Sequence, residues 1–247
     1  MRLDPIQCCR SFSKPDMNCY PRLIAFGGGG FTHKADADLE DFLLAQVSKE
    51  RPRIGFVGTA SLDDPEKIAR FHERFAAACA SHTHLPMAAN AAQARAWLDD
   101  LDLVYVGGGN TLQLVNHWRR QGIDEVMKSA ALRGVLMAGV SAGANVWFEQ
   151  ALSDSGGNGL APTAGIGLIA GSCCPHYSTE PQRQPSFIAC ISRNELAVGV
   201  AIDDGVAVLF DENGSRLAYS SRSGAGAYAV RRSENTVVCT PLQAIKP

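Results

Sequence analysis

Four short, almost wholly apolar runs constrain this chain most: Leu23-Ile-Ala-Phe26, Arg53-Ile-Gly-Phe-Val57, Leu103-Val-Tyr-Val106 and Gly134-Val-Leu-Met-Ala138. Each is too short for a helix and lacks the polar alternation of a half-exposed strand, so each reads as a strand buried on both faces. Segments with helical spacing separate them. Residues 37–49 place Leu39, Phe42, Leu43 and Val47 on one face, and 65–81 opens on Pro65. Residues 91–98, 111–121 and 123–132 follow as helices, and Leu85-Pro-Met87 reads as a short strand. Strands alternating with helices predict an α/β fold, a largely parallel sheet with helices on both faces. Past residue 196 the character changes to short strands at 197–202, 206–210, 215–220, 226–230 and 235–239. The first three are joined by Asp-Gly and Asn-Gly turns, the signature of hairpins. The reading is one α/β domain over 21–247 with a β-rich C-terminal segment, and a loosely held extension over 1–20.

With 46% hydrophobic and 19% charged residues, a chain of 247 can bury a sizeable core. A net charge of −2 gives no reason to expect nucleic acid or an acidic membrane surface as partner. No window approaches 18 consecutive apolar residues, and residues 1–15 lack the apolar stretch of an export signal. The expectation is a cytoplasmic protein, monomer or homodimer, with its eight cysteines reduced. None of them forms a C-x-x-C pair, so no zinc site is implied.

Gly139-Val-Ser-Ala-Gly143 follows the fourth apolar run and precedes a helix-like stretch, Ala144-Asn-Val-Trp-Phe-Glu-Gln150. Strand, glycine-flanked serine and helix are the context in which a serine is held on a tight turn with its hydroxyl exposed. A serine becomes a nucleophile only when a base takes its proton and a carboxylate orients that base. Of six histidines only His176 follows Ser141, at the end of Gly171-Ser-Cys-Cys-Pro-His176, a strand running into a loop. The carboxylates in reach are Asp154, in the loop after the serine helix, and Glu180, four residues past the histidine. Glu149 lies along the helix itself. Cys174 stands two residues from His176; His82-Thr-His84 has the spacing of a metal pair, but with no further ligand it reads as a solvent-facing loop.

Gly107-Gly-Gly-Asn-Thr111 lies at the carboxyl end of the third apolar run, where ligands bind in open α/β sheets. Neither phosphate-cradling pattern fits, since Leu112 stands where a third glycine belongs and no lysine follows. A bare glycine N–H there can complete an oxyanion hole with the N–H of Ala142, and tight packing is the other reason for such glycines. The cluster from Gly27 to Gly30 reads as a tight turn at the site rim.

Val106-Gly-Gly-Gly-Asn-Thr-Leu-Gln-Leu114, Gly139-Val-Ser-Ala-Gly-Ala-Asn145 and Pro175-His176 together resemble the peptidase E family of aspartyl dipeptidases, which also includes cyanophycinases. The resemblance runs from Leu23 to the C-terminal strands and implies a class I glutamine amidotransferase-like fold. It implies Ser141 as nucleophile, His176 as base, Asp154 as orienting acid, and Gly109 and Ala142 as oxyanion donors. Asp154 precedes His176 by 22 residues, as the acid does in the dipeptidases. The family's substrates are dipeptides with N-terminal aspartate, and Arg183, with Asn110 from the glycine motif, would bind them. A guanidinium suits bidentate carboxylate capture. No metal or organic cofactor is implied. An esterase of the α/β-hydrolase type would also order Ser, acid and His, but its histidine lies near the C-terminus, whereas 71 residues follow His176. A non-enzymatic binder of a small acidic ligand would use the same pocket.

Overall fold

A computed structural model of the chain describes residues 20–234 and 236–245. The extension expected at 1–20, with Cys8, Cys9 and Cys19, falls outside them except for Tyr20. In chain order the elements are β1 (Leu23–Phe26), α1 (Asp38–Ala45), β2 (Arg53–Val57), α2 (Pro65–Phe75), β3 (Ser81–Leu85), α3 (Ala91–Leu98), β4 (Leu103–Val106), α4 (Thr111–Gln121), α5 (Ile123–Leu132) and β5 (Leu136–Val140). Then come α6 (Ala142–Asn145), β6 (Phe148–Ser153), β7 (Ala161–Ala164), β8 (Ile169–Cys174), α7 (Arg183–Ser192), β9 (Gly199–Ile202), β10 (Val206–Phe210), β11 (Arg216–Ser220), β12 (Ala227–Ser233), β13 (Thr236–Pro241) and β14 (Gln243–Ala244). Short 3-10 turns stand at Phe31–His33 and Thr59–Ser61.

Two sheets organise these elements. The first runs β14-β11-β10-β1-β5-β4-β2-β3, and the second β13-β12-β9-β8-β6-β7. In the first, β1, β5, β4, β2 and β3 are mutually parallel, with β10 and β11 added antiparallel. Both faces of β1, β5, β4 and nearly all of β2 are buried, which is why those strands are apolar, whereas the edge strand β3 is polar and partly exposed. Ile24, Phe26, Phe56 and Tyr105 pack with Phe42, Phe71 and Phe75 of α1 and α2. Leu23, Ala25, Val104 and Met137 face α3–α6 and the second sheet, so one core joins the two sheets. On the far side of the second sheet, Phe187 and Ile191 of α7 cover Leu152, Cys174 and Ala201.

Local chemistry sets the element ends. Asp64 caps α2 by accepting from Glu66 N–H at 2.9 Å, ahead of Pro65. Asn90 and Gln93 form a reciprocal capping box on α3. Gly122, at φ 67°, ends α4 in the left-handed conformation.

Three sequence expectations are corrected. The third strand is Ser81–Leu85 and not 85–87, since Pro86 has no N–H to give a ladder, and α2 ends at Phe75 instead of running to 81. The helix after the serine is only one turn, Ala142–Asn145. Phe148–Ser153 is a strand, paired with both β7 and β8. Lastly, the turn at Asp204-Gly205 does not close a hairpin: β9 lies in the second sheet and β10 in the first, so the chain crosses between sheets there.

Candidate active site

Register brings the glycine motifs together. Phe26 is level with Val140 across the β1–β5 pair, and Val106 with Gly139 across β4–β5. The loops after β1, β4 and β5 therefore leave the sheet side by side at its carboxyl end. Ser141 takes φ 56°, ψ −114°, and its N–H donates to Phe26 O at 3.1 Å. Such a sharp turn leaves no room on either side. A Cβ on Gly139 would lie 1.9 Å from Gly143 O, and one on Gly143 would lie 2.1 Å from Val106 O. Both glycines of the pentapeptide are thus required by backbone contact.

His176, also at positive φ, follows β8 and donates its N–H to Gly27 O at 3.3 Å. Its Nε2 is 2.8 Å from Ser141 Oγ, and its Nδ1 is 2.6 Å from Asp204 Oδ1. Asp204 sits in the crossing from β9 to β10, bridged to Gly28. Burial acts to raise its pKa, but hydrogen bonds from His176 and Thr179, with the His176 and Arg222 charges, outweigh it and hold the carboxyl below its usual range. With the Asp204 carboxylate accepting a hydrogen bond from Nδ1–H, Nε2 faces the serine as an acceptor. The Gly27–Gly30 turn has more part in this than a rim: a Cβ on Gly28 would lie 2.1 Å from Asp204 Oδ1 and 2.8 Å from His176 Cε1.

The structure does not bring the expected acids to His176. Asp154 is exposed in the turn after β6, and both ring nitrogens of His176 are already engaged by Ser141 and Asp204. Glu180 instead accepts from Arg183 Nε at 2.6 Å. Asp204 was hidden in the sequence because Asp-Gly reads as a turn signal. The available clue was an acid at the carboxyl end of an apolar run, 28 residues past the histidine.

Arg183 does not face the site either. It is 4% exposed, and beyond Glu180 its guanidinium donates to Leu152 O at 3.2 Å, tying α7 to β6. Asn110 is occupied as the N-cap of α4, accepting from Gln113 N–H at 2.8 Å and donating to Ser155 O at 3.1 Å. Cys174 is buried, which pushes its thiol up to about 12 and leaves it inert. His82 and His84 lie on the edge strand β3, one at each ring nitrogen of His72, at 2.7 and 3.4 Å. That is a chain of rings, not a convergent set, and among the described residues no group has the arrangement to hold a metal.

Donors for an oxyanion stand next to the serine. As the first residue of α6, Ala142 has an N–H with no intrahelical acceptor. Gly107 N–H is taken by Val57 O and Asn110 N–H by Ala60 O; among the described residues the N–H groups of Gly108 and Gly109 between them have no acceptor. Gly108 is the one that touches Ser141, with its Cβ position 3.3 Å from Ser141 Cβ. A Cβ on Gly109, at φ 153°, would lie 2.1 Å from Ala60 O. Lys67 of α2 donates to Gly108 O at 3.0 Å, and among the described residues it has no carboxylate partner.

Sequence comparison matches the model of peptidase family S51 to residues 23–218. An uncharacterized peptidase, YgaJ, of Bacillus subtilis (strain 168) is 39% identical over 223 residues, covering 90% of this chain and 96% of its own. Among solved structures, a peptidase from an acI-B1 Actinobacterium superposes with a TM-score of 0.70 at 16% identity, covering 93% of this chain and 96% of that one. A putative peptidase E protein from Listeria monocytogenes EGD-e gives 0.58 at 18% identity, covering 90% and 99%. At these identities the two structures speak for the fold: helix-flanked α/β sheets, as the sequence predicts.

Proposed function

The chain belongs to peptidase family S51, and from that premise we propose that it hydrolyses short peptides through a Ser141–His176–Asp204 triad and an acyl-enzyme. One observation carries this reading: the His176 ring spans from Ser141 Oγ to the Asp204 carboxylate with both nitrogens in hydrogen-bond distance. Ser141 Oγ attacks the scissile carbonyl as His176 Nε2 takes its proton. The N–H groups of Ala142 and of Gly108 or Gly109 receive the developing oxyanion. His176 then protonates the leaving amine, the C–N bond breaks, and water, deprotonated by the same imidazole, releases the acid. Asp204 holds the Nδ1–H tautomer and balances the transient imidazolium.

The substrate is a dipeptide or short peptide with N-terminal aspartate. Arg183 is consumed within the fold, so the side-chain carboxylate is received by Lys67, whose ammonium has donors left after Gly108 O and which reaches the loop that touches Ser141. The test is labelling with a fluorophosphonate, read by peptide mapping, alongside hydrolysis of a dipeptide panel with varied first residue. An adduct on Ser141 with turnover of Asp-X peptides is expected. No adduct and no turnover would remove the reading.

A further inference from the structure

At the opposite end of the molecule Arg216, Arg231 and Arg232 line a cleft. Leu23, at the start of β1, pairs with Phe210, and Phe210 pairs with Arg216. The cleft is therefore separated from the catalytic end by the length of a four-residue strand, ~13 Å at ~3.3 Å per residue. It encloses about 640 Å³ between Arg216 of the first sheet and Arg231 and Arg232 of the second, with Val198, Ala229 and Leu242 as apolar walls.

The guanidinium of Arg216 lies 5.5 Å over the Phe210 ring, and burial followed by the nearby charge of Arg231 depresses its pKa. Arg232 donates only to neutral acceptors, Asn194 Oδ1 and the carbonyls of Ile191 and Ser192. Among the described residues none of the three arginines has an ion-pair partner. Of the carboxylates in the adjoining turns, Asp211 accepts from Asn213 and Ser215 N–H, Glu212 pairs with Arg22 and Glu195 with Arg193, while Glu234 lines the neighbouring pocket beside Arg232. Arg216 and Arg231, one from each sheet, place two cations at this cleft, and the Phe210 ring beneath Arg216 is what offsets their repulsion, while Arg232, on the other face of β12, turns its donors to the end of α7. Arg231 and Arg232 also lie beyond residues 23–218, the span shared with the peptidase family.

We propose that this cleft is a binding site for a small multivalent oxyanion, phosphate or carboxylate, carried on a ligand with an apolar face. Planar guanidinium forks supply bidentate donors to such oxygens, and the aliphatic walls receive the remainder of the ligand.

Calorimetric titration of the full chain with pyrophosphate, and separately with citrate, at ionic strength held constant with sodium chloride tests this. Saturable binding of at least one of them is expected, pyrophosphate alone marking a phosphate ligand and citrate alone a carboxylate one. Arg231→Gln, an exposed position, is expected to weaken that binding at least tenfold, as is Arg216→Gln. Lys128→Gln, on α5, is expected to leave it unchanged. Peptide hydrolysis by Arg231→Gln is expected to equal that of wild type, since the cleft is remote from Ser141. No saturable binding of either anion, or equal affinity in wild type and Arg231→Gln, overturns the proposal.

Discussion

Asp204 Oδ1 lies 2.6 Å from His176 Nδ1, although the two residues are 28 apart and enter the site from different directions. His176 follows β8 of the second sheet, and Asp204 sits where the chain crosses back to the first. An orienting carboxylate matters most once the imidazole carries charge, so its loss falls on kcat. Asp204→Asn should lower kcat by on the order of 10⁴-fold with little change in KM. Asp154→Asn and Glu180→Gln should keep kcat within a few-fold of wild type. Steady-state kinetics on the three variants decides the acid, and a crippled Asp154 variant beside an active Asp204 variant would reverse the assignment.

Ser141 and its neighbour Gly108 give a second pair of variants. Ser141→Ala should remove turnover by several orders of magnitude and abolish fluorophosphonate labelling while the far-UV circular dichroism stays native. Gly108→Ala would place a methyl 3.3 Å from Ser141 Cβ and 3.2 Å from Val140 O, tight enough to shift the serine without breaking the sheet. Its kcat should fall while its unfolding midpoint stays close to that of wild type.

Specificity should follow Lys67 and not Arg183. Loss of a charge-assisted bond is worth about 1.5–3 kcal/mol, so Lys67→Gln should reduce the Asp-X over Asn-X preference in kcat/KM roughly ten- to a hundredfold. Arg183→Met should act differently. It strips the buried anchor between α7 and β6, so it should lower the unfolding midpoint and leave the Asp-X preference of the folded fraction unaltered. Retained preference in the Lys67 variant would send the search for the carboxylate receptor elsewhere.

Glu40 makes stability depend on pH. Its side chain is fully buried under the glycine turn, where Oε1 accepts from Phe31 N–H at 3.2 Å, and burial raises its pKa from 4.5 to about 7. The folded form thus binds the proton more tightly than the unfolded one. Below pH 4.5 both are protonated and the contribution is fully present; it is lost as pH rises from there to about 7. A shift of this size corresponds to about 3 kcal/mol. Glu40→Gln keeps an acceptor for Phe31 N–H and carries no charge. Its urea midpoint should exceed that of wild type at pH 8, and the difference should vanish near pH 4.5. A gap independent of pH would show that Glu40 is not the titrating group.

Much of this protein was decided locally. Apolar runs of four or five residues fixed β1, β2, β4 and β10, because a strand buried on both faces tolerates nothing else. Asp64, Asn90, Asn110 and Gly122 set helix ends through their own side chains or backbone angles. Gly139 and Gly143 marked the serine turn, since neither position admits a Cβ. Tertiary structure alone decided the partners. Asp204 reads as half of an Asp-Gly turn until β9 and β10 are assigned to separate sheets, and only that crossing sets it on His176. Arg183 has the chemistry of a carboxylate receptor, yet Glu180 and Leu152 O, from the next turn and another sheet strand, take its donors inward. Residue type dictates what a side chain can bind; which partner it meets depends on long-range register, and in this chain no local pattern encodes that.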